Sequence, residues 1–263
     1  MSKLYKKLFI NDYSPGEMGE CIAEAKRMPG AEERALILKD IFSFIDLTSL
    51  NTSDSDGTIR SFAEKTAGFS YHFNDISNVA ALCVYPNFVK VAKEGLGGCG
   101  VRLAVVAAAF PTAQTFKEVK ILETSMAVSM GADEIDVVIP VGTFLKGDID
   151  TVIDELKAIR EAAGNSTLKV ILETGLLKDE RNIYRASIIA MESGADFVKT
   201  STGFGKGGAT IEDIILMRKS VGPSFGVKAA GGIRDLQTAV NMIEAGADRL
   251  GTSSGESIIA ETF

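Results

Sequence analysis

A lysine within an otherwise apolar strand is the feature of this sequence that points most directly to chemistry. Lys199 follows Phe197 and Val198, and a run rich in hydroxyls and glycines, 200–205, comes directly after it. An ammonium group among apolar side chains is stable only if it is paired or gives up its proton, and a neutral amine is a nucleophile. The pattern therefore predicts amine chemistry at Lys199.

Alternation along the neighbouring strands predicts which side chains share an interior with this lysine. Where apolar residues such as Ile135 and Val137 face outward, the residue between them faces inward. The chargeable side chains predicted to face inward are Asp136, Lys169, Glu173, Lys199 and Lys228. Three lysines with few carboxylates around them leave an excess of positive charge, and mutual repulsion and desolvation both lower a lysine pKa. We interpret this set as functional rather than as a structural ion-pair network, with an amine that attacks a carbonyl and an aspartate that shuttles protons.

Glycine-rich segments follow the last three predicted strands, at 202–208, 230–232 and 251–255. Loops after the last strands of a barrel, together with the start of a short helix, often bind phosphate through backbone N–H groups. The amides expected around the anion are those of Gly231, Gly232, Ser253 and Ser254. The sequence therefore predicts a phosphate site beside the lysines.

The elements that position these residues alternate regularly after residue 40. Eight β-rich runs, each followed by helix-like sequence, predict a parallel sheet. The runs are 41–46, 79–84, 101–107, 134–139, 168–173, 197–200, 226–230 and 249–252, and 150–162 and 211–219 are typical of helices. The triplet Gly-Ala-Asp recurs at 131–133, 194–196 and 246–248, each time between a helical run and a strand.

This recurrence indicates one βα unit reused around a ring, and eight units match a closed (β/α)8 TIM barrel of about 250 residues. An open doubly wound sheet is the alternative, although no GxGxxG follows the first strand. We divide the chain into an N-terminal helical extension, 1–39, and a catalytic barrel domain, 40–263. We expect the extension to cover the bottom of the barrel or to contact another subunit.

Composition excludes several classes of function. The chain has 263 residues and a net charge of −7, which opposes a general nucleic-acid surface. Cys21, Cys83 and Cys99 lie far apart without a CxxC pair, and the N-terminus lacks a sustained apolar run, so we expect cytoplasmic residence and no membrane partner. The single histidine, His72, cannot form a His-rich zinc site, and a serine–histidine triad would depend on it alone.

Taken together, these residues resemble the deoxyribose-phosphate aldolase family, whose members are class I aldolases on a (β/α)8 barrel. The resemblance runs from about residue 40 to 255. The runs that carry it, in a specific order and combination, are DLTSLN at 46–51, DEIDVV at 133–138, LKVILETG at 168–175, FVKTSTG at 197–203 and VKAAGG at 227–232.

The resemblance implies reversible cleavage of 2-deoxy-D-ribose 5-phosphate into D-glyceraldehyde 3-phosphate and acetaldehyde, without a metal or other cofactor. It implies that Lys199 forms the Schiff base, that Lys228 is the neighbouring cation that lowers its pKa, and that Asp136 transfers protons together with water. The substrate and acetaldehyde are then the small-molecule partners, and a homodimer is the family-level expectation. Alternatives are another Schiff-base sugar-phosphate aldolase, or a catalytically silent sugar-phosphate-binding barrel.

Supporting roles also follow from the resemblance. Asp46 and Asn51, placed at the end of the first strand, would support the site or the substrate hydroxyls, and Lys169 would orient Asp136 or a bound water. The remaining residues assigned to substrate or phosphate are Thr202, Gly203 and Lys206.

The sequence departs from some family members in two places. Phe204 stands where some members carry a basic residue, so that Lys206 is the nearest cation. The chain ends at Phe263 without the tyrosine-bearing tail of other members, so we expect either that water and Asp136 suffice for proton transfer or that this step is slower.

Overall fold

Eight parallel strands close into a barrel in chain order, in a computed structural model that describes residues 40–69 and 77–261. The strands are β1 (Ile45–Thr48), β2 (Ala81–Val84), β3 (Arg102–Val106), β4 (Glu134–Val138), β5 (Thr167–Ile171), β6 (Phe197–Lys199), β7 (Gly226–Ala230) and β8 (Arg249–Thr252). The pairing of β1 with β8 closes the ring. The predicted (β/α)8 barrel is confirmed, and the open doubly wound sheet is excluded.

Helices connect the strands and cover the outside of the barrel. They are α1 (Asp56–Ala67), α2 (Val89–Leu96), α3 (Lys117–Ser129), α4 (Val141–Leu145), α5 (Ile149–Ala163), α6 (Glu180–Glu192), α7 (Ile211–Val221), α8 (Leu236–Glu244) and α9 (Gly255–Ala260). The helices predicted over 150–162 and 211–219 correspond to α5 and α7. Each begins at a capping side chain, Asp148 or Thr210, which accepts a backbone N–H of the first turn.

The main apolar core lies between the strands and this outer layer. Side chains that alternate along the strands, such as Ile135, Val137, Val198 and Val227, are completely buried there. Because alternate residues of a strand point to opposite faces, this packing forces Asp136, Lys199 and Lys228 into the barrel interior. The predicted direction of these side chains is therefore confirmed.

The bounds predicted for the first strand, 41–46, are wrong. Ile41–Phe44 form a 3-10 turn, and the strand covers Ile45–Thr48. Ile41 and Phe42 are buried, but they reach the core from a helical turn, and a short apolar run does not distinguish that turn from a strand. Consequently Asp46 lies within β1 rather than at its end, and Asn51 lies in the loop beyond it.

The three Gly-Ala-Asp triplets have one structural role at the amino-terminal end of the barrel. Their glycines have φ between 93° and 110°, the left-handed conformation expected where a helix ends. The aspartates accept the backbone N–H of a residue in the preceding strand, in the pairs Asp133–Leu103, Asp196–Leu168 and Asp248–Val227, each at 2.8 Å. They also pair with a cation of a preceding helix, in the pairs Lys93–Asp133, Arg160–Asp196 and Arg218–Asp248. The repeat predicted from the sequence is thus one structural unit used three times.

The proposed extension, 1–39, lies outside the described residues, as do Cys21 and His72. The predicted division into two segments therefore stays a prediction. Within the ranges that are described, every helix is too short or too polar to cross a lipid bilayer.

Candidate active site

Four neighbouring strands send chargeable side chains into the barrel interior. Asp136 on β4 lies opposite Lys169 on β5, and Lys199 on β6 lies opposite Lys228 on β7. Lys199 is 4% exposed and the other three side chains are completely buried. The structure therefore brings together these four residues as strand alternation predicts, whereas Glu173, also predicted to face inward, lies beyond the end of β5.

The Asp136 carboxylate is the centre of this cluster. Its Oδ2 atom accepts hydrogen bonds from Nζ of Lys199 and Nζ of Lys228, both at 2.9 Å. Its Oδ1 atom accepts one from Nζ of Lys169, also at 2.9 Å. Burial by itself raises the pKa of a carboxylate, but the three lysines outweigh it and hold the pKa of Asp136 well below its ordinary value. Asp136 is therefore ionised at neutral pH.

The expectation that few carboxylates surround the lysines is wrong. Lys169 Nζ lies 3.0 Å from Asp46, and it also contacts Glu134 at 2.5 Å. Arg249 bonds the same two acids, at 2.5 Å to Asp46 and 3.1 Å to Glu134. Three lysines and Arg249 thus face three carboxylates in the barrel interior, and the half-exposed Arg102 also pairs with Glu134 at 3.2 Å.

Glu134 and Arg249 belong to this network, and the sequence analysis did not select them. Glu134 lies two residues before Asp136 on the same strand, so the same alternation directs both side chains inward. Arg249 is the first residue of β8, and alternation with the outward-facing, buried Leu250 directs it inward. Both signals were present in the sequence.

The network shifts the lysine pKa values in opposite directions. For Lys228, burial lowers the pKa, but Asp136 and Asp46 outweigh burial and raise it above the ordinary value. For Lys199, burial is the largest effect, the repulsion of Lys228 adds to it, and Asp136 does not fully offset them, so the pKa is lowered. The proton is therefore held more firmly at Lys228 and released more easily at Lys199, so Lys199 is the candidate nucleophile.

A cavity of about 300 Å³ opens above Lys199 at the carboxyl ends of the strands. The predicted substrate and phosphate residues that line it are Asn51, Thr202, Gly203, Gly231, Gly232, Ser253 and Ser254. Asp46, Asp136, Lys169 and Lys228 lie beneath it as buried support. Lys206 is exposed and does not line this cavity, whereas Arg234 does.

Close backbone contacts hold the glycine-rich turns together. Gly231 and Gly232 have φ of 88° and 82°, a conformation that favours glycine. Ala209 N–H donates to the carbonyl groups of both Ala230 and Gly231, which ties the turn after β6 to the turn after β7. The predicted short helix follows the third turn as α9.

Apolar side chains complete the interior around the charged cluster. Cys83, Val106, Val138 and Ile171 are buried there, and the Phe110 ring packs over them. The edge of Phe110 meets the ring of Phe204 at 5.6 Å between centroids. Burial raises the pKa of the Cys83 thiol, which fits the packing role that its position among apolar side chains gives it.

Comparison with protein families places this geometry in a known group. Residues 45–261 match the model of the DeoC/LacD family aldolase. The chain belongs to the DeoC/LacD aldolase family. It is therefore a carbon–carbon lyase.

Individual relatives of this aldolase agree with that assignment. The deoxyribose-phosphate aldolase of Brevibacillus brevis is 52% identical over 68% of this chain and 80% of the relative. That of Caldicellulosiruptor saccharolyticus is 45% identical over 85% of this chain and 98% of the relative. The solved tetrameric deoxyribose phosphate aldolase from Aeropyrum pernix is 26% identical, with a TM-score of 0.75 over 95% of this chain and 98% of that one.

Proposed function

We propose that this aldolase reversibly cleaves 2-deoxy-D-ribose 5-phosphate to D-glyceraldehyde 3-phosphate and acetaldehyde through a Schiff base on Lys199. The observation that carries the proposal is the position of Lys199, an amine of lowered pKa beneath a cavity whose rim consists of glycine-rich turns. The names of the relatives supply the substrate class.

The covalent step begins with neutral Lys199. Its Nζ adds to the C1 aldehyde of the open-chain sugar and forms a carbinolamine. Asp136, which lies 2.9 Å from this nitrogen, relays the proton released by the attacking nitrogen to the C1 oxygen, and a second proton, taken up from solvent through water, lets the C1 hydroxyl leave as water. The product is a protonated imine that withdraws electrons from C2.

Cleavage then uses this imine as an electron sink. A base removes the proton of the C3 hydroxyl, the C2–C3 bond breaks, and its electron pair forms an enamine while C3 becomes the aldehyde of glyceraldehyde 3-phosphate. Protonation at C2 and hydrolysis of the imine release acetaldehyde and free Lys199. We assign the proton transfers to Asp136 acting through water, since Asp136 is too deeply buried to reach C2 and C3 directly.

The remaining residues bind the substrate or set the ionisation states of Lys199 and Asp136. Lys228 keeps its charge and repels a proton on Lys199, and Lys169 fixes the Asp136 carboxylate, with Asp46 supporting both cations. Asn51 and Thr202 are the proposed partners of the sugar hydroxyls. The amides proposed for the phosphate are those of Gly203, Gly231, Gly232, Ser253 and Ser254, with Arg234 rather than Lys206 as the cation at the cavity.

The test is turnover of deoxyribose 5-phosphate, detected as glyceraldehyde 3-phosphate and compared with fructose 1,6-bisphosphate. In parallel, borohydride reduction with acetaldehyde followed by peptide mass mapping should find the adduct at Lys199. Cleavage of the hexose bisphosphate alone would indicate a different Schiff-base aldolase, and a purified protein without turnover or adduct would be a silent barrel. Chelators should leave turnover intact, and a loss restored by zinc would contradict the proposed chemistry.

We also propose a homodimer that resides in the cytoplasm. The spacing of the cysteines supports a reducing compartment, and the family resemblance supports a dimer. Light scattering coupled to size-exclusion chromatography would show whether this protein is a dimer or, like the Aeropyrum relative, a tetramer. Cell fractionation tests the location.

A further inference from the structure

A buried glutamate beside the cavity has no part in the chemistry above. Glu173 follows the end of β5, is 4% exposed, and has a backbone φ of 55° and ψ of 59°. This left-handed conformation is unfavourable for a residue with a side chain, and such strain persists only where the surroundings enforce it. A strained and buried acid next to a reactive centre calls for a specific role.

The carboxylate of Glu173 contacts the loop that follows the Schiff-base strand. Its Oε2 atom accepts the backbone N–H of Thr202 at 3.2 Å. A side chain on Gly205 would place its Cβ 2.9 Å from Oε1 of Glu173, so the loop passes directly against the carboxylate. Residues 200–208, which we name the β6 loop, thus contact the Glu173 carboxylate at two points, Thr202 and Gly205.

Backbone contacts extend the same interface on both sides. Thr174 N–H donates to Thr200 O at 3.0 Å, and a Cβ on Gly175 would collide with the carbonyl oxygen of Lys206. On the far side, Ala209 N–H bonds the chain after β7. The β6 loop is therefore held between two neighbouring connections, and Glu173 is the side chain that holds it on the β5 side.

The position of this loop decides the shape of the cavity. Lys199 lies immediately before the loop, and Thr202, Gly203 and Phe204 form part of the cavity wall. Thr202 also accepts the N–H of Phe204 at 3.1 Å, so a displacement of Thr202 displaces Phe204 as well. A wall displaced by about 1 Å can weaken substrate positioning by orders of magnitude.

We infer that Glu173 is a positioning residue. Its carboxylate accepts the Thr202 N–H, a contact that we call the latch, and so holds the β6 loop with Thr202 and Phe204 beside the phosphorylated substrate. The inference rests on the proposed function for its kinetic consequence, but the latch itself is a property of the free enzyme. Glu173 touches no reacting atom. Its loss affects binding of the sugar phosphate and leaves amine chemistry at Lys199 in place.

Three substitutions separate the latch from other roles. Glu173→Gln retains an oxygen that accepts the Thr202 N–H, whereas Glu173→Ala removes it. Glu173→Gly removes it as well, but adopts the left-handed conformation freely, so this variant folds even if alanine is too strained there. Glu118→Ala, at the exposed start of α3, is the matched control.

For the Ala and Gly variants we expect a KM for deoxyribose 5-phosphate raised about tenfold or more, the size of a lost hydrogen bond to a charged group. Borohydride trapping of acetaldehyde at Lys199 should stay within about twofold of wild type, because acetaldehyde does not need the phosphate wall. The KM of the Glu173→Gln variant should stay close to that of wild type. The inference would be overturned if borohydride trapping at Lys199 fell as much as substrate affinity. It would also be overturned if the folded Ala and Gly variants kept the KM of wild type.

Hydrogen exchange of peptides covering 200–208 gives a readout that needs no substrate. Exchange should be faster in the Ala and Gly variants than in wild type, Glu173→Gln and the Glu118→Ala control. Unchanged exchange in both latch-free variants would refute the latch even if the proposed substrate is wrong. Conversely, a wild type that neither cleaves the sugar nor traps acetaldehyde refutes the proposed function and leaves the exchange result standing.

Discussion

Lys199 and Lys228 donate hydrogen bonds to the same atom, Oδ2 of Asp136, at 2.9 Å each. Two ammonium groups on one oxygen repel each other, and the repulsion is relieved when one of them releases its proton. Lys228 also contacts Asp46, which favours its charged form. Among the residues that the structure describes, Lys199 pairs with the carboxylate of Asp136 alone and opens to the cavity, so its proton is released more easily.

Lys228→Met should move the acid limb of the pH–rate profile to higher pH. The substitution removes a positive charge beside Lys199, so the lowered pKa of Lys199 rises and less neutral amine is present at pH 7. The measurement is kcat/KM for deoxyribose 5-phosphate against pH, with Lys157→Met on the exposed face of α5 as control. If Lys228→Met lowered kcat/KM without shifting the pH–rate profile, an electrostatic effect of Lys228 on the pKa of Lys199 would be excluded.

Lys199 and Lys169 should differ in their effect on stability. Because the folded state lowers the pKa of Lys199, it disfavours the charged form, and Lys199→Met should be at least as stable as wild type at pH 7 while lacking turnover. Lys169→Met leaves three carboxylates without their shared cation and should cost about 3–5 kcal/mol. Urea unfolding measures both changes.

The surface pair Lys117–Asp154 provides the control for this comparison. Lys117→Met should cost at most about 1 kcal/mol, since an exposed pair is screened by solvent. A loss of stability in Lys199→Met as large as that in Lys169→Met would contradict the assignment of the neutral lysine.

The buried carboxylates should make stability fall in acid. Burial raises the pKa of Asp46, but Lys169, Lys228 and Arg249 outweigh it and depress the pKa below its ordinary value of about 3.9. A depressed folded pKa contributes stability that is complete above the unfolded pKa and is lost as the pH falls towards the folded one.

The stability difference between wild type and Asp46→Asn should therefore shrink as the pH falls from 7 to 3. Urea unfolding midpoints at several pH values give this difference directly. Asp56→Asn, at the exposed start of α1, should show no such trend. If the stability difference between wild type and Asp46→Asn stayed constant from pH 7 to 3, ionisation of Asp46 would not contribute to stability.

Arg234 and Lys206 should contribute differently to phosphate binding. Arg234→Ala should raise the KM for deoxyribose 5-phosphate about tenfold, because Arg234 lines the cavity and a charge-assisted hydrogen bond is lost. Lys206→Ala should change it by less than about twofold, because Lys206 does not line the cavity. Turnover of unphosphorylated deoxyribose should respond to neither change, and the reverse order of effects would restore Lys206 as the phosphate cation.

Much of the fold and the chemical centre could be read from the sequence because both depend on short-range regularities. Alternation in β4 to β7 identified Asp136, Lys169, Lys199 and Lys228, since packing against the outer helices leaves only one face for a charged side chain. The bounds of β1 could not be predicted, because burial of Ile41 and Phe42 is compatible with a helical turn as well as with a strand.

The sequence by itself determined which residues face the barrel interior and that an unusual amine lies among them. Only the tertiary structure showed why the pKa of Lys199 is lowered while that of Lys228 is raised, because this depends on the carboxylates of Asp46 and Asp136, brought together from distant strands. It likewise decided that Arg234 rather than Lys206 lines the cavity, and that Glu173 contacts the β6 loop. Electrostatic energies and loop contacts depend on distances across the closed ring, and local sequence periodicity carries no information on them.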